Sequence, residues 1–220
     1  MRVKANQNKP KQEQETLNYR SMMRLQPGDE LRAMLKTKGV LLLDGQIEEG
    51  GAYTFNIGLL CLEATGCLNN KPLWIVLNSP GGEVNYGFAI YDTIKSLVDR
   101  GRTINIIGQG LVASMAVTIM QAGTRRYSLP HTQFLVHQVS KVIGIFGGTE
   151  ASQAQEEVEE LNRLNNITLA VIANRAGIGL EELKKLCRKT DYWLDAEKAK
   201  KLGTAGLIDE IVTVYPFFNF

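Results

Sequence analysis

Residues 73–82 read Leu-Trp-Ile-Val-Leu-Asn-Ser-Pro-Gly-Gly, five consecutive apolar residues followed by a Pro-Gly-Gly turn. A short apolar run stopped by turn residues suits a strand buried on both faces, as in a parallel sheet. Upstream, Val40-Leu41-Leu42-Leu43 stopped by Asp44-Gly45 has the same form. Downstream, residues 103–107, 127–129, 134–136 and 208–214 are expected as further strands. Helical spacing of apolar residues predicts helices over 50–66, 86–98, 113–122 and 153–173, with shorter ones at 29–36, 180–187 and 196–202. Asp29 and Asp195 are placed to cap the helices at 29–36 and 196–202, and Gly66 and Gly203 to end those at 50–66 and 196–202. Strands alternating with helices imply βαβ units, hence an α/β fold with a mainly parallel sheet. Neither an internal repeat nor a second domain is visible.

The composition agrees with an ordinary soluble globular chain. Of 220 residues, 44% are hydrophobic and 22% charged, so a single domain can bury a sizeable core. The net charge of +2 argues against a protein built mainly to grip nucleic acid. That charge is unevenly spread. Residues 1–24 hold Arg2, Lys4, Lys9, Lys11, Arg20 and Arg24 against Glu13 and Glu15, a local +4 that leaves −2 for the rest. This polar lead reads as a flexible basic arm. It lacks the apolar stretch of a secretory signal, and no run approaches the roughly 20 residues of a membrane span. Cys61, Cys67 and Cys187 lack zinc-ligand spacing and read as small buried residues in a reducing compartment, which places the chain in the cytoplasm. No cofactor or metal is expected.

Three stretches could carry chemistry. His137, one of two histidines with His131, closes the apolar strand at 134–136, where an imidazole can serve as general base or simply as structure. Ser114 sits in Gly110-Leu111-Val112-Ala113-Ser114-Met115, a strand-to-helix elbow that would expose a hydroxyl beside outward-pointing N–H groups. Close packing or capping would equally explain a serine there. The paired glycines Gly81 and Gly82 let backbone approach a ligand, though Pro-Gly is also a common turn. The sequence lacks the Gly-x-Gly-x-x-Gly fingerprint at this turn and has no Walker A lysine motif.

Together these stretches resemble one family. LWIVLNSPGG (73–82), AIYDTI (89–94), Ala113-Ser114-Met115, RYSLPHTQFLVHQ (126–138) and DYWLDAEKAKKLGTAGLID (191–209) occur in the order of the ClpP family, the proteolytic subunits of the Clp protease. The resemblance runs from about Val40 to Val212. It implies a ClpP/crotonase-type αβ spiral with a protruding helix-strand handle over about 139–175, and a single peptidase domain at 25–220. It implies a serine endopeptidase with Ser114 as nucleophile, His137 as general base and Asp191 as orienting carboxylate. It also implies that the N–H groups of Gly82 and Met115 form the oxyanion hole. Residue spacing does not choose Asp191 over Asp92, Asp99, Asp195 or Asp209; the resemblance does.

The same resemblance implies polypeptide substrates cleaved inside a chamber of seven-membered rings, possibly two stacked, fed by an AAA+ Clp ATPase unfoldase. An organellar setting is an alternative to the cytoplasm. Residues 1–24 fall where the family builds its pore-lining loops. Departures mark a divergent member: Gly110-Leu111-Val112-Ala113-Ser114-Met115 stands where many members have Gly-Gln-Ala-Ala-Ser-Met, and the family's N-terminal segment is not recognisable in residues 1–24. Val139 stands where the family usually has proline, Thr190 where it usually has arginine, and residues 139–153 are a few residues longer than usual. The competing readings are a phage capsid-maturation protease, a crotonase-type acyl-CoA enzyme and a non-catalytic subunit of a mixed ring.

Overall fold

The computed structural model describes residues 29–66, 71–139, 151–188 and 191–218. The basic arm, Cys67, Thr190 and most of the expected handle insertion lie outside them. The chain divides before Gly39 into two units. In the first, helix α1 covers Asp29–Thr37, and in its last turn Thr37 Oγ1 donates to Met34 O at 2.7 Å.

The second unit carries the expected alternation. Its elements are β1 (Val40–Asp44), α2 (Glu49–Thr65), β2 (Leu73–Ser79), α3 (Val84–Asp99), β3 (Ile104–Ala113), α4 (Met115–Met120), β4 (Arg125–Ser128) and β5 (Gln133–Val136). There follow α5 (Ala151–Ala176), α6 (Leu180–Leu186), β6 (Tyr192–Asp195), α7 (Ala196–Lys200), β7 (Glu210–Ile211) and a 3₁₀ turn at Pro216–Phe218. The strand order is β1-β2-β3-β4-β7, all parallel, while β5 pairs with β3 and β6. Among the described residues only β5–β6 is antiparallel. Among the described residues no helix is long and apolar enough to cross a membrane.

Several elements depart from the lengths read in the sequence. Strand β3 runs on to Ala113 because it has two successive partners, β4 along Asn105–Gly108 and β5 along Leu111–Ala113. The bend between them is made at Gly110 (φ 63°), which packs against Asn78, and Asn78 Oδ1 accepts from Leu111 N at 3.1 Å. Helix α4 accordingly starts at Met115 and shrinks to six residues. Strand β6 was not expected; four residues with one alternation give too little periodicity, and only pairing with β5 makes them a strand. Strand β7 is two residues, not seven, because it pairs with β4 only at Tyr127–Glu210 and Ser128–Ile211. Cys187 is buried, and burial pushes its thiol up to about 11, but Cys61 is exposed on α2, contrary to expectation.

The inner sheet face (Leu41, Leu43, Leu73, Ile75, Leu77, Ile104 and Ile106) forms one core with Ile90, Ile94 and Leu97 of α3 and with the apolar residues of α4. Among the described residues one charged side chain is buried with it. Arg126 on β4 is 1% exposed. Its guanidinium pairs with Asp209 at 2.5 Å and donates to Gln121 Oε1 (2.8 Å), Gly206 O (3.0 Å), Ala205 O and Arg175 O (both 3.4 Å). Its backbone N–H also donates to Asp209 Oδ2 at 2.7 Å. This cation therefore ties β4, the turn after α4, the end of α5 and the segment before β7.

Burial pushes the Asp209 carboxyl up. The hydrogen bonds from Arg126, with the charges of Arg126 and Arg175, outweigh that and hold it below its usual 3.8. A carboxyl lowered by folding contributes stability that is present above its usual value and lost as pH falls through the folded value. Asp209→Asn leaves the buried guanidinium unpaired. It should cost about 3 kcal/mol at neutral pH and flatten the loss of stability below about pH 4. Urea unfolding across pH 3–7 checks both; an unchanged midpoint at pH 7 would contradict the role given to Arg126.

Candidate active site

The turn from β3 into α4 is made by a strained backbone conformation at Ser114. Ser114 has φ 55° and ψ −126°, and no other non-glycine described residue has positive φ. Such a conformation costs on the order of 1–3 kcal/mol and persists only when its surroundings over-determine it. Here they do. Ser114 N donates to Leu135 O at 2.8 Å, which fixes the elbow to β5, and Val117 N donates to Ser114 O at 3.0 Å. All six residues of α4 are buried, and Met115 lies across Gly87 of α3, where a Cβ would come 2.1 Å from Met115 Cγ.

The loop after β2 presses on the elbow from the other side. Gly81 (φ 92°) approaches so closely that a Cβ there would lie 2.6 Å from Ser114 Cβ and 3.0 Å from Met115 N. The segment after β1 holds the loop in place: Ile47 N donates to Gly81 O (2.8 Å), and Glu83 N to Ile47 O (2.9 Å). Asn78 Nδ2 donates to Asp44 Oδ1 at 2.7 Å, joining the ends of β1 and β2. Among the described residues, the backbone N–H groups of Gly82 and Met115 have no hydrogen-bond partner.

A cavity of about 200 Å³ opens beside this elbow. Pro80, Gly82, Ser114, Met115 and His137 line it, together with Val84, Thr118, Val136, Val139, Thr168, Leu169 and Ile172. His137 reaches it because β5 lies against β3 and ends one residue earlier. His131 is exposed in the preceding turn and does not line it. Four of the five expected site residues thus share one cavity. Asp191 does not line it. It is exposed and immediately precedes β6, whose first residue, Tyr192, pairs with Val136. Asp191 and His137 are thus the residues that adjoin the last pair of the β5–β6 ladder, Tyr192 with Val136. Among the described residues, no hydrogen bond links Ser114 to His137 or His137 to Asp191.

Two features could not be read from the sequence. Thr168, Leu169 and Ile172 of the cavity lining come from α5, far along the chain, and their place beside the elbow has no local signal. Val139, where the family usually has proline, uses its N–H to donate to Asn165 Oδ1 on α5 at 3.2 Å, a bond that proline could not make. A hydroxyl on a strained elbow, an imidazole in the same cavity and two unused N–H groups are the parts required for acyl transfer. Among the described residues no cluster of side chains could hold a metal.

Comparison with known proteins points the same way. The Clp protease family model matches residues 26–215. The chain is 34% identical over 184 residues to ATP-dependent Clp protease proteolytic subunit 2 of Prochlorococcus marinus, covering 81% of this chain and 83% of that protein. It is 31% identical over 175 residues to the ATP-dependent Clp protease proteolytic subunit of Streptococcus mutans, covering 79% and 84%. Among solved structures it superposes on a ClpP1 mutant from Listeria monocytogenes with a TM-score of 0.72 and 29% identity, over 86% of this chain and 99% of that one. The chain belongs to the Clp protease family and is a serine peptidase of the ClpP type, with the mixed α/β fold and mainly parallel sheet expected from its motifs.

Proposed function

We propose that Ser114 is the nucleophile, His137 the general base and Asp191 the carboxylate that orients the imidazole. The observation that carries this is the convergence of the strained Ser114 and His137 on one cavity bordered by two unused N–H groups. A serine hydroxyl attacks a peptide carbonyl only when a base takes its proton, and imidazole can return that proton to the leaving amine. The N–H groups of Gly82 and Met115 are suited to the oxyanion that develops. Hydrogen bonds among such residues commonly align only with substrate in place.

The chain works as a subunit of a closed assembly, seven-membered rings stacked singly or in pairs, that cleaves unfolded polypeptides delivered by an ATP-driven Clp unfoldase. Its peptidase domain begins near residue 25, and the basic arm serves chamber entry or partner docking. The setting is the cytoplasm or an organellar matrix, without nucleic acid. Support comes from the relatives' names and from α2. Tyr53, Ile57 and Leu60 are 69%, 44% and 45% exposed at four- and three-residue spacing, an apolar stripe suited to burial against a second subunit.

Labelling of the full chain by a fluorophosphonate should be lost in Ser114→Ala. A wild type that never labels, even with an unfoldase present, would mark a non-catalytic subunit. His137→Ala and Asp191→Asn should keep the fold and lower peptide hydrolysis by about a thousandfold or more, read as kcat/KM. Full activity in Asp191→Asn would remove it from the proposed triad. Gly81→Ala should displace the elbow and cost on the order of a hundredfold in kcat/KM. Native mass spectrometry or particle images should show sevenfold rings, weakened by Ile57→Asp.

A further inference from the structure

Five serine and threonine residues are buried among the described residues: Ser79, Thr118, Ser128, Thr132 and Thr168. Four use their hydroxyls within the protein. Ser79 Oγ accepts from Gly81 N at 3.1 Å, Ser128 donates to Leu129 O at 2.8 Å, and Thr132 donates to Gly108 O at 2.9 Å. Thr168 donates to Leu164 O or Asn165 O, at 3.0 and 3.1 Å. Thr118 is 1% exposed, and its hydroxyl makes no hydrogen bond among the described residues, although its carbonyl accepts from Gln121 N at 3.0 Å. Buried hydroxyls are costly to leave unpaired, and a helical threonine ordinarily bonds the carbonyl one turn back. Thr118 does not, and it lines the cavity beside Ser114.

We propose that Thr118 is a specificity-determining residue, and that its hydroxyl receives the end of an uncharged, hydrogen-bonding side chain on the residue whose carbonyl Ser114 attacks. This rests on the peptidase roles given above. The surrounding wall (Val84, Met115, Leu169 and Ile172) suits an aliphatic stem. Apart from His137 no ionisable side chain lines the cavity, so a carboxylate or ammonium there would be buried without a counter-charge. A carboxamide fits the polar groups present. Its oxygen accepts from Thr118, and its NH₂ donates to the hydroxyl oxygen of Thr118 or Thr168, which keep acceptor lone pairs. Glutamine is the side chain that combines this end group with an unbranched stem.

The test uses the assembled full chain and three fluorogenic peptides differing only in the residue before the scissile bond: glutamine, methionine of similar length, or glutamate. Glutamate should be cleaved least. Thr118→Val keeps the shape and removes the hydroxyl, and should lower the glutamine-to-methionine ratio of kcat/KM by about three- to tenfold; Thr118→Ser should keep the wild-type ratio. An unchanged ratio in Thr118→Val, or an equal fall in Thr118→Ser, overturns the proposal. Fluorophosphonate labelling of each protein separates the two levels. A wild type that labels at Ser114 but cleaves neither the glutamine nor the methionine peptide overturns the specificity proposal alone. One that neither labels nor cleaves overturns the peptidase roles and the specificity together.

Discussion

The site depends on a positive backbone dihedral at Ser114. A β-carbon in that conformation is strained, so the energy that holds it must come from neighbours that cannot yield. Leu135 O fixes the elbow to β5, and Gly81 fills the space on the other side so fully that no side chain could stand there. Gly81 is held in turn by Ile47, and Asn78 ties the ends of β1, β2 and the bend in β3. The first three strands thus converge on the serine. Each contributes a backbone or amide contact that a single substitution can break.

The second constraint is Arg126. A buried guanidinium is tolerable only when its donors are met, and here one carboxylate, one amide oxygen and three carbonyls meet them. The carbonyls belong to Arg175, Ala205 and Gly206, so the cation joins the end of α5 to the segment that leads into β7. Helix α5 also supplies Thr168, Leu169 and Ile172 to the cavity wall. The anchoring of that wall and the Arg126 network are therefore physically linked through one helix.

Much of this was legible in the residues. Apolar runs closed by turn residues located β1 and β2, and helical spacing located α2, α3 and the body of α5. Gly66 takes the left-handed cap expected of it, and Asp195 accepts from Lys198 N at 2.8 Å as an N-cap. Other elements were misread for one reason. The length of β3, the existence of β6 and the brevity of β7 are set by which strands lie alongside, and a strand's own sequence does not name its partner. The exposure of Cys61 likewise depends on which face of α2 turns to the core.

The sequence alone determined the α/β alternation, the family, and the identities of Ser114, His137, Gly82 and Met115 as candidates, because local periodicity and ordered motifs carry that information. Asp191 came from the motif match and from nothing in its own spacing. Only the tertiary structure decided that Ser114 is strained, that Gly81 must be bare, that β6 pairs antiparallel with β5 from Tyr192 opposite Val136, and that Thr118 lines the cavity without a hydrogen bond from its hydroxyl to the described residues. These are relations between segments distant in the chain. They arise from strand pairing and close packing, which place side chains together by geometry that no single segment encodes.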